Sequence, residues 1–492
     1  MLVPRADKVS MDHSQRLCRI HHFNDRREML QNIACGFGHV ALLGLLGSET
    51  SAVASPGSSG SSPLAPKPHQ HLPQAKRVIF LFLHGGLSHV DSFDPKPKLS
   101  EMDGEPTPIE KPKFNFASTG NLLKSPWKFH KYGQSGIEVS DLFPRVGQCI
   151  DDICVIRSMS TNFVAHGGAN LQLNTGNGIF VRPCMGAWLL YGLGSENENL
   201  PGFITICPSV QHGGAQNYGS AFLPAMFQGT AIGDGSSAFE DKGFDNLESM
   251  SGTSGFQRRK LDLLAQRNQR HLKQSGQDAR LAARMESFEL AYRMQMEAPE
   301  ALDLSDETRE TQQLYGIGED PTDEFGRECL LARRFAERGV RYIQVGHSGP
   351  RHYWDQHGNL KGGHEANARK VDKPIAGLLR DLKRRGLWDD TLVICGTEFG
   401  RTPAAQGKDG RDHHPDAFTM WMAGAGLKGG YVYGATDDFG YYVTENKMHI
   451  HDFHATVLHL LGLDHTKLTY RYSGRDYRLT DVHGNVAHDI IA

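Results

Sequence analysis

Continuous apolar runs that end in glycine, more than alternating ones, set the pattern of this chain. Val78–Leu83 is apolar at every position and stops at His84-Gly85-Gly86. Such a run predicts a strand buried on both faces, as at the centre of a parallel sheet. Shorter runs predict further strands at Ile153–Arg157, Phe203–Cys207, Val340–Val345, Thr391–Cys395 and Phe418–Ala423. Apolar residues at helical spacing predict helices at Phe256–Gln274, Asp278–Met296, Asp323–Glu337, Asn367–Arg385 and His451–Leu461. Gly339 stops the third of these, and Pro374 is a kink site in the fourth. Strand and helix alternate on both sides of an all-helical stretch at about 256–339. The expectation is an α/β fold: a mostly parallel central sheet flanked by helices, with a helical insertion.

The first residues have a different character. Arg26-Arg27-Glu28-Met29-Leu30 precedes a mildly apolar stretch, Ile33–Leu46, that contains Gly36, Gly38 and Gly44, and Ala52-Val53-Ala54 follows. In that order they predict a twin-arginine signal over residues 1–54, and hence a periplasmic or extracellular protein handed to the twin-arginine export machinery. The Ser-, Gly-, Pro- and His-rich stretch that follows predicts a disordered linker over 55–76, ahead of a single domain over 77–492. No transmembrane segment is expected in the mature chain.

Composition narrows the function classes. With a net charge of −3 over 492 residues, bulk charge offers nothing to nucleic acid or to an anionic membrane. The 25 histidines are abundant and many of them cluster. Among the eight cysteines, Cys149 and Cys154 are near enough to pair in an oxidising compartment, whereas Cys207 and Cys395 read as isolated buried thiols.

Ligands of parallel sheets sit beyond the carboxyl ends of the strands. After the first strand come His84, Ser88, His89 and Asp91. After the second come Ser158, Ser160, Thr161 and His166. His347, Asp355 and His357 follow the fourth strand, Glu398 and Arg401 follow the fifth, and Arg411-Asp412-His413-His414 lies in the next loop. Any one of them could be structural. Together at one sheet edge, imidazoles and carboxylates form a ligand set for a divalent metal such as zinc, manganese or iron.

The motifs FLHGGLSHVDSFDPKP from Phe82, SFELAYRMQ from Ser287 and CLLARRFAERGVRYIQV from Cys329 resemble a known family. HYWDQHGNL from His352, TEFGRTP from Thr397, GRDHHPDAFTMW from Gly410 and HDFHATVLHLLGLDH from His451 continue the resemblance nearly to the end. It is to domain of unknown function 1501, in the sulfatase-like branch of the alkaline phosphatase superfamily. The resemblance implies an alkaline-phosphatase-type fold and one or two divalent metal ions, with zinc, manganese, iron and calcium all open. It also implies hydrolysis of a phosphate or sulfate ester, carried on a small molecule or a glycan. The family itself has no settled activity.

Against the superfamily, His84 stands where the first strand ends in aspartate, and Glu398-Phe399 stands where Asp-His or Asp-Asn is usual. Counting back from Thr175-Gly176 places His166 at the nucleophile position. This implies that His166 attacks directly, or that it binds metal and metal-bound water attacks. The alternative is a catalytically inactive metal- or anion-binding protein. Asp355, His357 and His413 or His414 would form one metal position, and His84, His166 and Glu398 an altered one. Arg401 and Arg411 would clamp the ester's anionic oxygens.

Overall fold

A computed structural model describes residues 62–109, 120–235, 254–275, 279–348 and 354–492. The strands that build the central sheet are β1 (Arg77–Leu83), β2 (Ile153–Ser160), β3 (Phe203–Ile206), β4 (Thr230–Ile232), β5 (Tyr342–His347) and β6 (Thr391–Gly396). A hairpin of β7 (Gly400–Gln406) and β8 (Gly410–His414) precedes β9 (Phe418–Ala423), β10 (Tyr431–Tyr433) and β11 (Met448–His449). In space the order is β10-β2-β9-β6-β1-β5-β3-β4, with β11 added beside β2. Only β9 runs against its neighbours. The expected mostly parallel α/β sheet is therefore present.

The continuous apolar run of β1 has the predicted cause. Ile79, Leu81 and Leu83 enter one hydrophobic core, and Val78, Phe80 and Phe82 enter a second on the opposite face. Successive side chains of a strand point to opposite faces, so a strand covered on both sides must be apolar throughout.

The longer helices among the described residues are α1 (His166–Thr175), α2 (Met185–Leu193), α3 (Ser254–Ser275), α4 (Ala279–Leu302), α5 (Asp323–Glu337), α6 (Leu360–Arg384) and α7 (Ile450–Leu460). α5 has the predicted bounds. α6 begins at Leu360 rather than Asn367. Its first turn contains Gly362 and Gly363, which propensity disfavours, but Leu360 and His364 are buried and hold it in place. Pro374 lies inside this helix without dividing it.

Two expectations need correction, and a third lies outside the described residues. Residues 62–76 are not a free linker: the backbones of Gln70 and Gln74 donate to Gly462 and Leu460, and Lys67 to Leu193. The signal segment and residues 55–61 lie outside the described residues. Cys149 and Cys154 are separate buried thiols and form no disulfide.

A candidate metal centre at the carboxyl edge of the sheet

Every strand end singled out above opens on one edge. β1 is followed by His84, β2 by Thr161 and the segment into α1, β5 ends at His347, and β6 is followed by Thr397-Glu398. His166 is the first residue of α1, and Gly176 (φ 73°) ends that helix by donating its N–H to the Gln172 carbonyl. Gly85 has φ 119°, and a Cβ there would stand 2.7 Å from the Trp354 nitrogen. Only glycine allows that approach, which brings the Gly85 N–H to Glu398 Oε1 at 3.0 Å.

His166 lies at the centre. Its Nδ1 is 2.6 Å from Glu398 Oε1, and its Nε2 is 3.3 Å from Asp355 Oδ2. Asp355 Oδ1 also receives His413 Nε2 at 3.0 Å and His357 Nε2 at 2.9 Å, and it pairs with Arg401. On the other side of His166, Asn170 Nδ2 is 3.0 Å from His84 Nε2, and His212 Nδ1 is 3.5 Å from it. His212 stacks on His166 with ring centroids 4.9 Å apart. The Phe399 ring packs against His166 and His413 at 4.7 and 4.5 Å, an apolar wall behind them.

Two groups of ligand-type atoms result: His84, His166 and His212, and His166, Asp355 and His413. Within each group the atoms lie within 4.8 Å of one another. The electrostatics suit a cation. Burial pushes the His84 imidazole down to about 4 and lowers that of His413, so both are neutral at pH 7, the form that binds metal. Burial would also lower His166, but its hydrogen bonds to Asp355 and Glu398 outweigh this and raise it. Burial would raise the Glu398 carboxyl; His84 and His166 instead hold it well below the usual carboxylate range. Asp355 is depressed too, by its three histidines and Arg401 against the opposing effect of burial. Two ionised carboxylates beside neutral imidazoles favour a divalent cation, and the residues present fit one.

The predicted residues divide. His84, His166, Asp355 and His413 stand in the two groups. Glu398 belongs to neither: it approaches His166 at Nδ1, accepts from Gly85 and Thr397, and orients the ring from behind, as carboxylates behind metal-binding histidines do. His357 bonds Asp355 and Gln406, and is 36% exposed. His414 is misplaced in the prediction. It neighbours His413 on β8 and so faces the other way, where its ring meets the Tyr441 carbonyl and stacks with His89 at 6.3 Å.

Both arginines are corrected as well. Each is 0% exposed. Arg401 donates to the carbonyls of Gly85, Gly86, Trp354 and Arg411 as well as to Asp355. Arg411 donates to both oxygens of Asp91, at 2.7 and 3.1 Å, and to the carbonyls of Thr402, Pro403 and Leu123. They tie the hairpin to the sheet from fully buried positions and present no surface to an ester. His212 was missed as a ligand candidate. It sits in a left-handed conformation (φ 49°) before Gly213 and Gly214, and that QHGG run is the one local signal that could have marked it.

Fold and site together define an α/β protein with a candidate metal centre at the carboxyl edge of a mostly parallel sheet. The chain belongs to the family described as "Protein of unknown function (DUF1501)", which matches residues 75–491. Among solved structures it is similar to the lipoteichoic acid synthase LtaP from Listeria monocytogenes, at 12% identity over 85% of this chain and 78% of that one, TM-score 0.33. It is also similar to the PsFucS1 sulfatase from Pseudoalteromonas sp., at 12% identity over 79% and 68%, TM-score 0.33. A protein in the alkaline phosphatase superfamily from Vibrio parahaemolyticus matches at 12% identity over 82% and 70%, TM-score 0.35. No curated protein matches the sequence. No helix among the described residues is long and apolar enough to cross a membrane.

Proposed function

We propose that this chain is an exported, metal-dependent hydrolase of phosphate or sulfate esters. The observation that carries the proposal is His166, one imidazole shared by two groups of ligand-type side chains at the ligand-binding edge of the sheet. With Glu398 on Nδ1, the other ring nitrogen of His166 would ligate a single ion, held either with Asp355 and His413 or with His84 and His212. The imidazole-rich donor set suits zinc, manganese or iron; calcium, which prefers six to eight oxygens, suits it poorly. When bound, such an ion supplies Lewis acidity toward the ester oxygens and toward water.

The side chains restrict the remaining roles. Both ring nitrogens of His166 face carboxylates, which argues against His166 as the attacking group. Thr161 Oγ1 donates to Gln172 Oε1 at 2.6 Å, so it is no better placed. Water is left as the nucleophile. His357 is half-exposed, and Asp355 keeps it protonated to higher pH than a free imidazole, with burial opposing. Glu398 and Phe399 fix His166 and keep water from its buried side.

One observation favours the second reading, a binding protein without catalysis: the arginines expected to meet an ester's oxygens are buried and paired with Asp355 and Asp91. Turnover separates the two readings. Protein loaded in turn with zinc, manganese or ferrous iron should hydrolyse p-nitrophenyl phosphate or p-nitrophenyl sulfate, and a chelator should abolish the reaction. Undiminished turnover after metal removal, or none with any of the three ions, contradicts the hydrolase reading. Export has its own test. Arg26→Lys with Arg27→Lys should leave the protein in the cytoplasm, and normal export of that double variant would refute the twin-arginine route.

A further inference from the structure

The helical insertion carries a face that the packing of the fold does not use. α3 lies along α4, and α4 in turn enters the core through Met294, Ala298 and Ala301. The contact between the two helices is made on one side of α3. Gln257 Nε2 donates to Gln295 Oε1 at 2.5 Å, and Arg258 donates to Glu289 at 2.7 Å and lies over the Tyr292 ring at 5.0 Å. Leu261, Ala265 and Asn268 continue that side at helical spacing and are half-buried.

The opposite side faces solvent. Phe256, Arg259, Lys260, Leu263, Arg267 and Arg270 recur at i, i+3, i+4, i+7, i+11 and i+14, so they share one outward face. All six are exposed, Phe256 by 56% and Leu263 by 52%. The four cations stand there without an acid. Asp262, the one aspartate of the helix, pairs with Arg258, and among the described residues no carboxylate pairs with the other four. Over its length α3 has six lysines and arginines against one aspartate, in a chain whose net charge is −3. Basic charge is thus segregated onto this helix, which the bulk charge conceals.

A surface helix ordinarily turns Phe and Leu inward. Here two large apolar side chains stand outward among cations, and that combination selects the partner. A second copy of this chain is disfavoured, because two faces of four cations repel. A soluble polyanion such as nucleic acid or a sulfated glycan would meet the cations but leave Phe256 and Leu263 in water. The surface of an anionic bilayer meets both. Lys and Arg reach the headgroup phosphates while their stems, and the Phe and Leu side chains, enter the acyl boundary.

We propose that the outward face of α3 docks on an anionic phospholipid bilayer, with Arg259, Lys260, Arg267 and Arg270 on the headgroups and Phe256 and Leu263 inserted beneath them. α3 then lies in the plane of the interface and holds the protein there without crossing the membrane. The inference depends neither on the metal centre nor on hydrolysis.

Co-sedimentation of the full chain with vesicles tests it. Vesicles that mix phosphatidylglycerol with phosphatidylcholine should take up the protein, and vesicles of phosphatidylcholine alone should not. Near an anionic surface each Lys or Arg contributes about fivefold in affinity, so Arg267→Gln with Arg270→Gln should weaken binding by about 25-fold. Phe256→Gln with Leu263→Gln should weaken it by about tenfold or more. Every replaced side chain faces solvent, so both variants should keep the wild-type melting temperature. No uptake by the phosphatidylglycerol vesicles, or equal uptake by both kinds of vesicle, overturns the proposal. Equal binding by the wild type and both variants, as a signal segment alone would give, overturns it too. Loss in the arginine variant without loss in the apolar one would assign the face to a soluble polyanion instead.

Discussion

His166→Ala should empty the candidate metal centre. A residue that only orients a ligand typically costs 10- to 100-fold in metal affinity when lost. His166 is a candidate ligand in both groups, so its loss should weaken binding by at least about 100-fold whichever group holds the ion, and remove hydrolysis with it. Of the single replacements His212→Ala and His413→Ala, only the one in the group that holds the ion should weaken binding, because neither residue belongs to both groups. His414→Ala serves as the control. Its ring bonds the Tyr441 carbonyl away from the cluster, so metal content should not change. Titration with zinc under a competing chelator reads all four variants. Full-affinity binding by His166→Ala, or equal loss in His414→Ala, would show that the cluster is assigned wrongly.

Asp91→Ala should be strongly destabilising. Asp91 and Arg411 are both completely buried and meet through two hydrogen bonds. Burial alone would raise the Asp91 carboxyl, but Arg411 more than offsets this and holds it below its ordinary value. Removing the carboxylate strands a guanidinium in the core, which costs about 3–5 kcal/mol. By contrast, Lys76→Ala breaks a pair exposed by 50% and 39%, and should cost no more than about 1 kcal/mol. Chemical denaturation compares the two. The same pair gives a sign for pH. A depressed folded pKa means the contribution is present above the unfolded carboxyl value of about 3.9 and is lost as pH falls through the folded one. Equal stability of the two variants would contradict the burial of Arg411.

Much of this was legible because hydrophobic burial is written locally. β1, α5 and β9 could be bounded within a residue or so, since continuous apolar runs and helical spacing follow directly from which faces are covered. The rule that parallel strands present their carboxyl ends to ligands then gathered His84, His166, Asp355 and His413 before any coordinates.

What failed was polar burial. The β7–β8 hairpin contains Pro403, Gly407, Lys408 and Asp409 and lacks apolar alternation, so it reads as a loop. It is held by the buried Arg401 and Arg411, whose partners are mainly carbonyls distant in sequence. Nothing local to an arginine states whether its donors are already spent. His414 failed for a related reason: two adjacent strand residues face opposite sides, and the choice between them depends on what packs outside. His212 failed because a loop histidine becomes a ligand candidate only when the fold brings His84 and His166 to it.

The central claim is that the cluster around His166 holds metal. Elemental analysis tests it most directly, on wild-type protein purified without chelator or a histidine tag. The account predicts about one equivalent of zinc, manganese or iron per chain. No retained metal, even after incubation with each ion in turn and removal of the excess, would contradict it.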